Sequence, residues 1–475
     1  MKKSIVLFCL TVSFFSFSQQ VQYASKVIKF SSDLGGKQNG IKRILGKPDA
    51  FPQGGASANA WTPKNSLDGR QLIEVGFEKP QTVKQVAIFE NLNAGCVTRI
   101  WTDSGSGKYE LVWSRKINYK TPFYKNTLTT DRSYYFKRKR RKVQEAPEIF
   151  NPGIENALLE NAVSGVVAVK VEFSFALLPG EKQIDAIGIS DSDTPIVATI
   201  STTPELENLP NAQEIKTGSL QPQNPILTQD KSKLLFTTTV NEVEKIYYMA
   251  KNAAGNWSNP QVEDAALNAN LNYNYIEAYT DNFILKGGLE HAIGTGESGY
   301  EFLKYTNGKY ESLGKLMITA YSNYDDTSDA TITANGKTIL MGLESDMTQG
   351  GSDIYFTNKK DDGNYSFLTN AGKIINSAAD EGMPFLLSDT KTLLFCSNGF
   401  SSFGNYDIYV THRLDDTWKK WSEPVNLGSK VNSAEYDGSP FYDEISEILY
   451  YTTFTGDKSV LKYVKIPKNY FDIKQ

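Results

Sequence analysis

Within residues 379–427 the apolar positions fall into four short runs, 384–387, 392–397, 406–411 and 421–427, and the residues between them are polar or turn-forming. Runs of this length, rich in β-branched and aromatic side chains and bounded by turn signals, predict strands. Four in succession predict an antiparallel meander. Such a sheet cannot bury both faces alone and needs neighbours of its own kind. The turn Asp389-Thr390-Lys391-Thr392 recurs at Asn335-Gly336-Lys337-Thr338 and, less faithfully, at 281–284 and 443–446, always 54 residues apart, with one more copy at 230–233.

The third run repeats as Asp353-Ile354-Tyr355 against Asp407-Ile408-Tyr409, and the fourth is marked by Trp257 and Trp421. Asp353, Tyr355, Asp407, Tyr409 and Trp421 are therefore the candidate structural positions of the repeat. Five units of four strands predict a β-propeller, in which each blade covers the apolar face of the next. The last unit supplies only three runs, at 439–442, 448–453 and 460–466. Segment 212–218 resembles 423–428 and is expected to add the outermost strand of that blade and close the ring.

Upstream, every second residue is apolar in 73–77 and again in 167–175, which predicts strands with one buried and one wet face. Further strands are expected at 83–89, 97–101, 109–114 and 184–189, and helical spacing appears only in 154–163. The expected fold is all-β: an N-terminal jelly-roll β-sandwich followed by a five-bladed β-propeller closed by an N-terminal outer strand. The divisions are 1–18, 19–195 for the sandwich, 196–222 for a linker plus the ring-closing strand, and 223–475 for the propeller.

Lys2-Lys3, the apolar run 5–17 and the small residues Ser16 and Ser18 have the layout of a Sec signal peptide. Cys9 lies inside that run behind Leu7-Phe8, unlike a lipoprotein box. With 50 basic and 54 acidic residues, general nucleic-acid binding is disfavoured. Cys96 and Cys396 fall in different predicted domains, so no disulfide framework is expected. His291 and His412 are the chain's two histidines, and neither zinc spacing nor a cysteine–base pair is present. No cofactor and no metal are expected; Asp191 and Asp193 read as turn residues of the linker, with a calcium site as the alternative.

One segment breaks the charge balance. Lys137, Arg138, Lys139, Arg140, Arg141 and Lys142 follow Tyr134-Tyr135-Phe136. Six adjacent cations repel one another and must be solvated or neutralised by something acidic. The run reads either as a charged loop or as a contact for anionic lipid, lipopolysaccharide phosphates or an acidic protein surface.

Acidic residues also recur where successive units begin: Asp325 and Asp326, Asp380 and Glu381, Glu435 and Asp437. A ring of carboxylates near a channel mouth is one reading. Capping of backbone amides at every blade junction is the other, and periodic recurrence favours it, because a catalytic site breaks symmetry. Gly296-Glu297-Ser298-Gly299 approaches a nucleophile elbow without completing it. A glycosidase working with carboxylates from different blades stays open.

Leu45-Gly46-Lys47-Pro48-Asp49-Ala50, Trp61-Thr62-Pro63, Glu74-Val75-Gly76-Phe77 and Ile184-Asp185-Ala186 resemble the motifs of galactose-binding-like, discoidin-type domains. Ser388-Asp389-Thr390-Lys391-Thr392-Leu393 with Asp407-Ile408-Tyr409 resembles the TolB-type, WD40-like (PD40) propeller repeat. Together they resemble exported Bacteroidota envelope proteins, some associated with type IX secretion. The resemblance implies a non-enzymatic periplasmic scaffold docked on an outer-membrane protein or complex, in its sharpest form an accessory or capping subunit of a type IX translocon. Many such proteins continue into an OmpA-type domain; that module and a C-terminal sorting domain are not recognisable here, which favours the periplasm over the cell surface. A carbohydrate-binding envelope protein and a glycoside hydrolase are the alternatives.

Overall fold

The computed structural model describes residues 19–116, 152–178 and 180–472. Residues 1–18 and the basic run Lys137 to Lys142 lie outside the described residues. The N-terminal domain is built on β1 (Val21–Tyr23), β2 (Lys26–Phe30), β3 (Arg70–Glu90), β4 (Val97–Asp103), β5 (Glu110–Ser114), β6 (Gly153–Ser174) and β7 (Ala186–Ser190). These form one seven-stranded antiparallel sheet in the order β1-β7-β3-β6-β4-β5, with β2 paired to β3. The expected strands 73–77 and 83–89 are a single element, β3, whose pairing with β6 shifts register between Gly76 and Gln85. Bulges of that kind bend a long strand, so one chain segment serves both ends of the sheet.

The helical spacing at 154–163 is overturned: the segment belongs to β6. Ala157 and Leu159 point inward while Leu158 and Glu160 are exposed, a period of two. Apolar residues on the wet side, Leu158 among them, mimic a helical stripe. Beneath the sheet Trp61, Phe173 and Phe175 form a fully buried trio with ring centroids 5.9–6.3 Å apart. Asp185 accepts the amides of Asp49 and Ala50, at 3.3 and 3.1 Å, and so ties the loop before Trp61 to the start of β7.

Five four-stranded antiparallel sheets follow. After β8 (Gln213–Ile215) they comprise β9 (Gln223–Leu227), β10 (Lys233–Val240), β11 (Val243–Ala250) and β12 (Gln261–Val262); β13 (Tyr275–Tyr279), β14 (Ile284–Gly287), β15 (Glu297–Thr306) and β16 (Lys309–Met317); and β17 (Asp329–Ile332), β18 (Thr338–Leu343), β19 (Asp353–Asn358) and β20 (Thr369–Asn370). The fourth blade is β21 (Glu381–Leu386), β22 (Thr392–Ser397), β23 (Asp407–His412) and β24 (Val425–Asn426). The fifth is β25 (Asp437–Asp443), β26 (Ile448–Thr455) and β27 (Lys458–Lys465), with β8 paired to β27 as its outer strand. The inner strands β9, β13, β17, β21 and β25 each touch the next around the ring. This is a five-bladed β-propeller.

The fourth run, 421–427, shrinks to the two residues of β24. Trp421 makes only an isolated bridge to Arg413 and packs against Trp418, whose ring lies 4.3 Å from the Arg413 guanidinium. In place of a longer fourth strand, an asparagine supplies the missing hydrogen bonds. Asn376 accepts from Ile354 N (2.8 Å) and donates to Ile354 O (2.9 Å). Asn432 does the same to Ile408 and Asn268 to Ile246.

Ile215 of β8 is buried with Leu234, Phe236, Tyr450 and Leu461, so it joins side chains of the first and last blades. Ile215→Ala is expected to destabilise the propeller by about 2–3 kcal/mol, the cost of an aliphatic cavity. Urea denaturation checks this; a change under about 0.5 kcal/mol would mean that the pairing of β8 with β27 carries little stability.

The loops of the N-terminal domain at 37–59 sit on the third and fourth blades. Asn59, 1% exposed, donates to Gly399 O at 2.6 Å and accepts from Ala378 N at 2.7 Å. Gln53 donates to Phe403 O, Ser401 to Pro48 O, Gln38 to Ala378 O and Lys37 to Thr348 O. A side chain at Gly399 would place its Cβ 1.9 Å from Ser377 Oγ, so only glycine allows this approach. Leu206 and Leu209, between β7 and β8, are buried with Leu427, Val431 and Phe471 and pin the connecting segment to the last two blades.

Candidate functional site

Two sets of polar residues stand at the inner ends of the blades, and the first is the repeated acids. Glu381 accepts from Ser377 N, Ser377 Oγ and Ser397 Oγ at 2.6–2.7 Å, and Asp437 from Ser433 N and Oγ at 2.6 and 2.7 Å. Asp353 takes Gln349 N and the Asn370 amide; Asp407 takes Phe403 N, Gly404 N and the Asn426 amide. Tyr355 and Tyr409 reach back over the same loops, to Thr348 Oγ1 and Ser401 O. Asp380 accepts from Ser352 N and Asn398 Nδ2. All these groups lie at blade junctions and hold loop amides that no strand could pair.

The second set was not singled out in the sequence. Four of the five inner strands are bulged at one level: β9 at Asn224-Pro225, β13 at Glu277, β21 at Met383-Pro384 and β25 at Ser439-Pro440. A bulge turns a side chain off the sheet face, here into the central channel. With Asp329 at the start of β17, the inner strands of all five blades line a narrow throat of about 40 Å³, among them the polar residues Asn224, Glu277, Asp329 and Ser439 and the thioether of Met383. Asn224, Met383 and Ser439 share a bulge conformation with positive φ, which Glu277 and Asp329 do not adopt.

The throat opens into a cavity of about 360 Å³ lined by Glu242, Glu244, Asn272, Tyr273, Tyr275, Asp329 and Tyr436, among others. Its walls are fixed. Met383 accepts from Tyr436 O–H at 3.0 Å and from Ser439 N at 3.3 Å, while Ser439 Oγ donates to Asn224 Oδ1 at 2.7 Å. Gly287 and Gly288 let the Tyr273–Tyr275 segment pack: a Cβ at Gly287 would lie 2.2 Å from the Tyr275 ring.

Three carboxyls meet here. Burial pushes Asp329 up to about 6, although its Oδ2 accepts from Met383 N at 3.2 Å. Burial, and then the charge of Asp329, raises Glu244 to about 7. Burial, with Asp329 and Glu244 adding repulsion, holds Glu277 well above the carboxylate range. Glu277 Oε1 is enclosed and has no hydrogen-bond partner. Among the described residues no three acidic, His or Cys groups stand close enough to enclose a metal ion. Cys96 and Cys396 are buried free thiols, and Cys96 Sγ donates to Glu90.

No protein-family model matches the chain, and no curated protein matches it. Among solved structures it is similar to the endo-arabinase of Bacteroides thetaiotaomicron, at 14% identity over 53% of this chain and 96% of that one, with a TM-score of 0.36. It is similar also to TolB from Acinetobacter baumannii, at 15% identity over 52% and 55%, with a TM-score of 0.28. The periplasmic gluconolactonase PpgL of Pseudomonas aeruginosa matches at 11% identity over 52% and 70%, with a TM-score of 0.28.

Proposed function

We propose that this chain is a non-enzymatic scaffold of the bacterial periplasm that docks on an outer-membrane protein or protein complex. The observation that carries the reading is the interlock at Asn59, a fully buried side chain bonded in both directions to two segments of the propeller. It makes a single rigid body of an N-terminal domain, read as a jelly-roll sandwich, and a ring read as closed by β8. Rigid bodies of this kind present broad loop-built surfaces to partners. The acids that recur from blade to blade are held by backbone amides and serve the framework. An accessory or capping role at a type IX secretion translocon, with the basic run Lys137 to Lys142 touching anionic lipid or lipopolysaccharide, is the finer form of the proposal.

A tagged copy is expected to co-purify with an outer-membrane complex from detergent-solubilised envelopes. Recovery as a lone monomer would overturn the scaffold reading, and turnover of aryl glycosides that vanishes in Glu277→Gln would replace it by the hydrolase one.

A further inference from the structure

We propose that the channel mouth is a binding site for an organic cation, a primary ammonium or guanidinium group that enters between Glu244, Glu277 and Asp329 and is ringed by tyrosine. Four observations carry this, and none depends on the docking role. The first is the break in the repeat. Three blades carry Asn224, Met383 and Ser439 at the channel level, each followed by proline, whereas the two adjacent blades between them carry Glu277 and Asp329 without proline. Neighbouring acids at that level follow from no requirement of the blade, since its other copies do without them.

The second is the absence of a counter-charge. Glu242, Glu244, Glu277 and Asp329 line the throat and mouth, and no Lys, Arg or His is among the described residues lining either. The third is Glu277 Oε1, which is buried at the throat with nothing to accept from. A buried acceptor without a donor is costly, and a donor brought by a ligand removes that cost. The fourth is shape. A cavity of about 360 Å³ whose lining includes Tyr273, Tyr275 and Tyr436 has room for an ammonium or guanidinium head group with its stem. The carboxyls are too dispersed for a metal ion, and an anion would meet only like charge.

The other titratable groups around the site are tyrosines and one thiol. Tyr300 packs edge-on to Tyr275 and Cys396 lies behind Asp329, both held in their neutral forms by burial. Asp329 and Glu244, raised to about 6 and about 7, therefore change charge between pH 5 and 8. A bound cation favours their ionised forms, so binding releases protons at low pH and strengthens as the pH rises.

The test is calorimetry with Nα-acetyl-lysine methylamide, Nα-acetyl-arginine methylamide and glucosamine, and with Nε-acetylated lysine and glucose as neutral controls. Saturable binding of a cationic probe is expected, at least about tenfold tighter at pH 8 than at pH 5.5 and reduced at least about tenfold by Glu277→Gln. Preference for the lysine or arginine probe assigns the site to a side chain of a partner protein; preference for glucosamine assigns it to a free amino sugar. Glu244→Gln, at the wider mouth, is the second variant if Glu277→Gln does not fold. Equal binding of neutral controls, affinity unchanged with pH, or no saturation by any cationic probe at 10 mM, roughly a −3 kcal/mol interaction, would overturn the proposal.

Discussion

Asn59→Ala is expected to release the N-terminal domain from the propeller while leaving both folded. The substitution removes both hydrogen bonds from the Asn59 side chain to the propeller and leaves Gly399 C=O and Ala378 N–H buried without partners. Each orphaned group costs about 1–3 kcal/mol, so roughly 2–4 kcal/mol is lost from the docking. The remaining contacts, from Gln38, Gln53, Ser401 and Lys37, are mainly rim hydrogen bonds that water replaces at little cost. Hydrogen exchange at the Ala378 amide should quicken by at least about tenfold, and small-angle scattering should show a larger radius of gyration. Gln53→Ala, at the exposed edge, should change neither. A protected Ala378 amide and an unchanged scattering profile in Asn59→Ala would show that the interlock does not hold the domains.

The propeller was legible because its signal is redundant. The 54-residue turn repeat and the Asp353/Asp407 motif state the blade several times over, so weak copies such as the second blade are located by their neighbours. That blade is in fact the one with the long β15–β16 hairpin, turning at Asn307-Gly308 with both residues at positive φ. The element at 154–163 was misread because β6 exposes Leu158, and an apolar residue on the wet face blurs a period of two into one near four. The fourth strands were overextended because the asparagine that replaces each one, Asn268, Asn376 or Asn432, looks in sequence like any polar loop residue.

The channel acids were missed for a related reason. Of the acids that recur, Asp380, Glu381 and Asp437 take framework roles, while the Glu435 side chain is exposed. The informative position is the residue before proline in Asn224-Pro225, Met383-Pro384 and Ser439-Pro440, and the two blades that lack the proline carry Glu277 and Asp329. The 54-residue spacing already sets Asp329 opposite Met383, whereas Glu277 is displaced from that register by two residues. Which strands bring Glu244 beside them is a matter of blade order around the ring, and only the folded arrangement shows it.

The stability of the whole molecule is expected to fall as the pH rises from about 5 to about 8. Burial raises Glu381 to about 8, Asp185 and Glu244 to about 7, and Asp329 and Asp407 to about 6. In the unfolded chain these carboxyls release their protons near pH 4. Across the interval the native state therefore binds more protons than the unfolded state, and stability declines with pH until Glu381 has ionised. Glu381, displaced to about 8, contributes on the order of a few kcal/mol. It also stands at the head of a chain of hydrogen bonds: Ser397 Oγ donates to Glu381 and accepts from Gly399 N, whose carbonyl receives Asn59. Glu381→Gln keeps the shape and an acceptor for Ser377 but has no proton to lose. Urea denaturation at pH 5, 6.5 and 8 should show the variant matching or falling below the wild type at pH 5 and exceeding it at pH 8, with a visibly flatter profile. Parallel profiles for the two proteins would mean that Glu381 is already ionised in the native state at pH 5, its three donors having outweighed its burial.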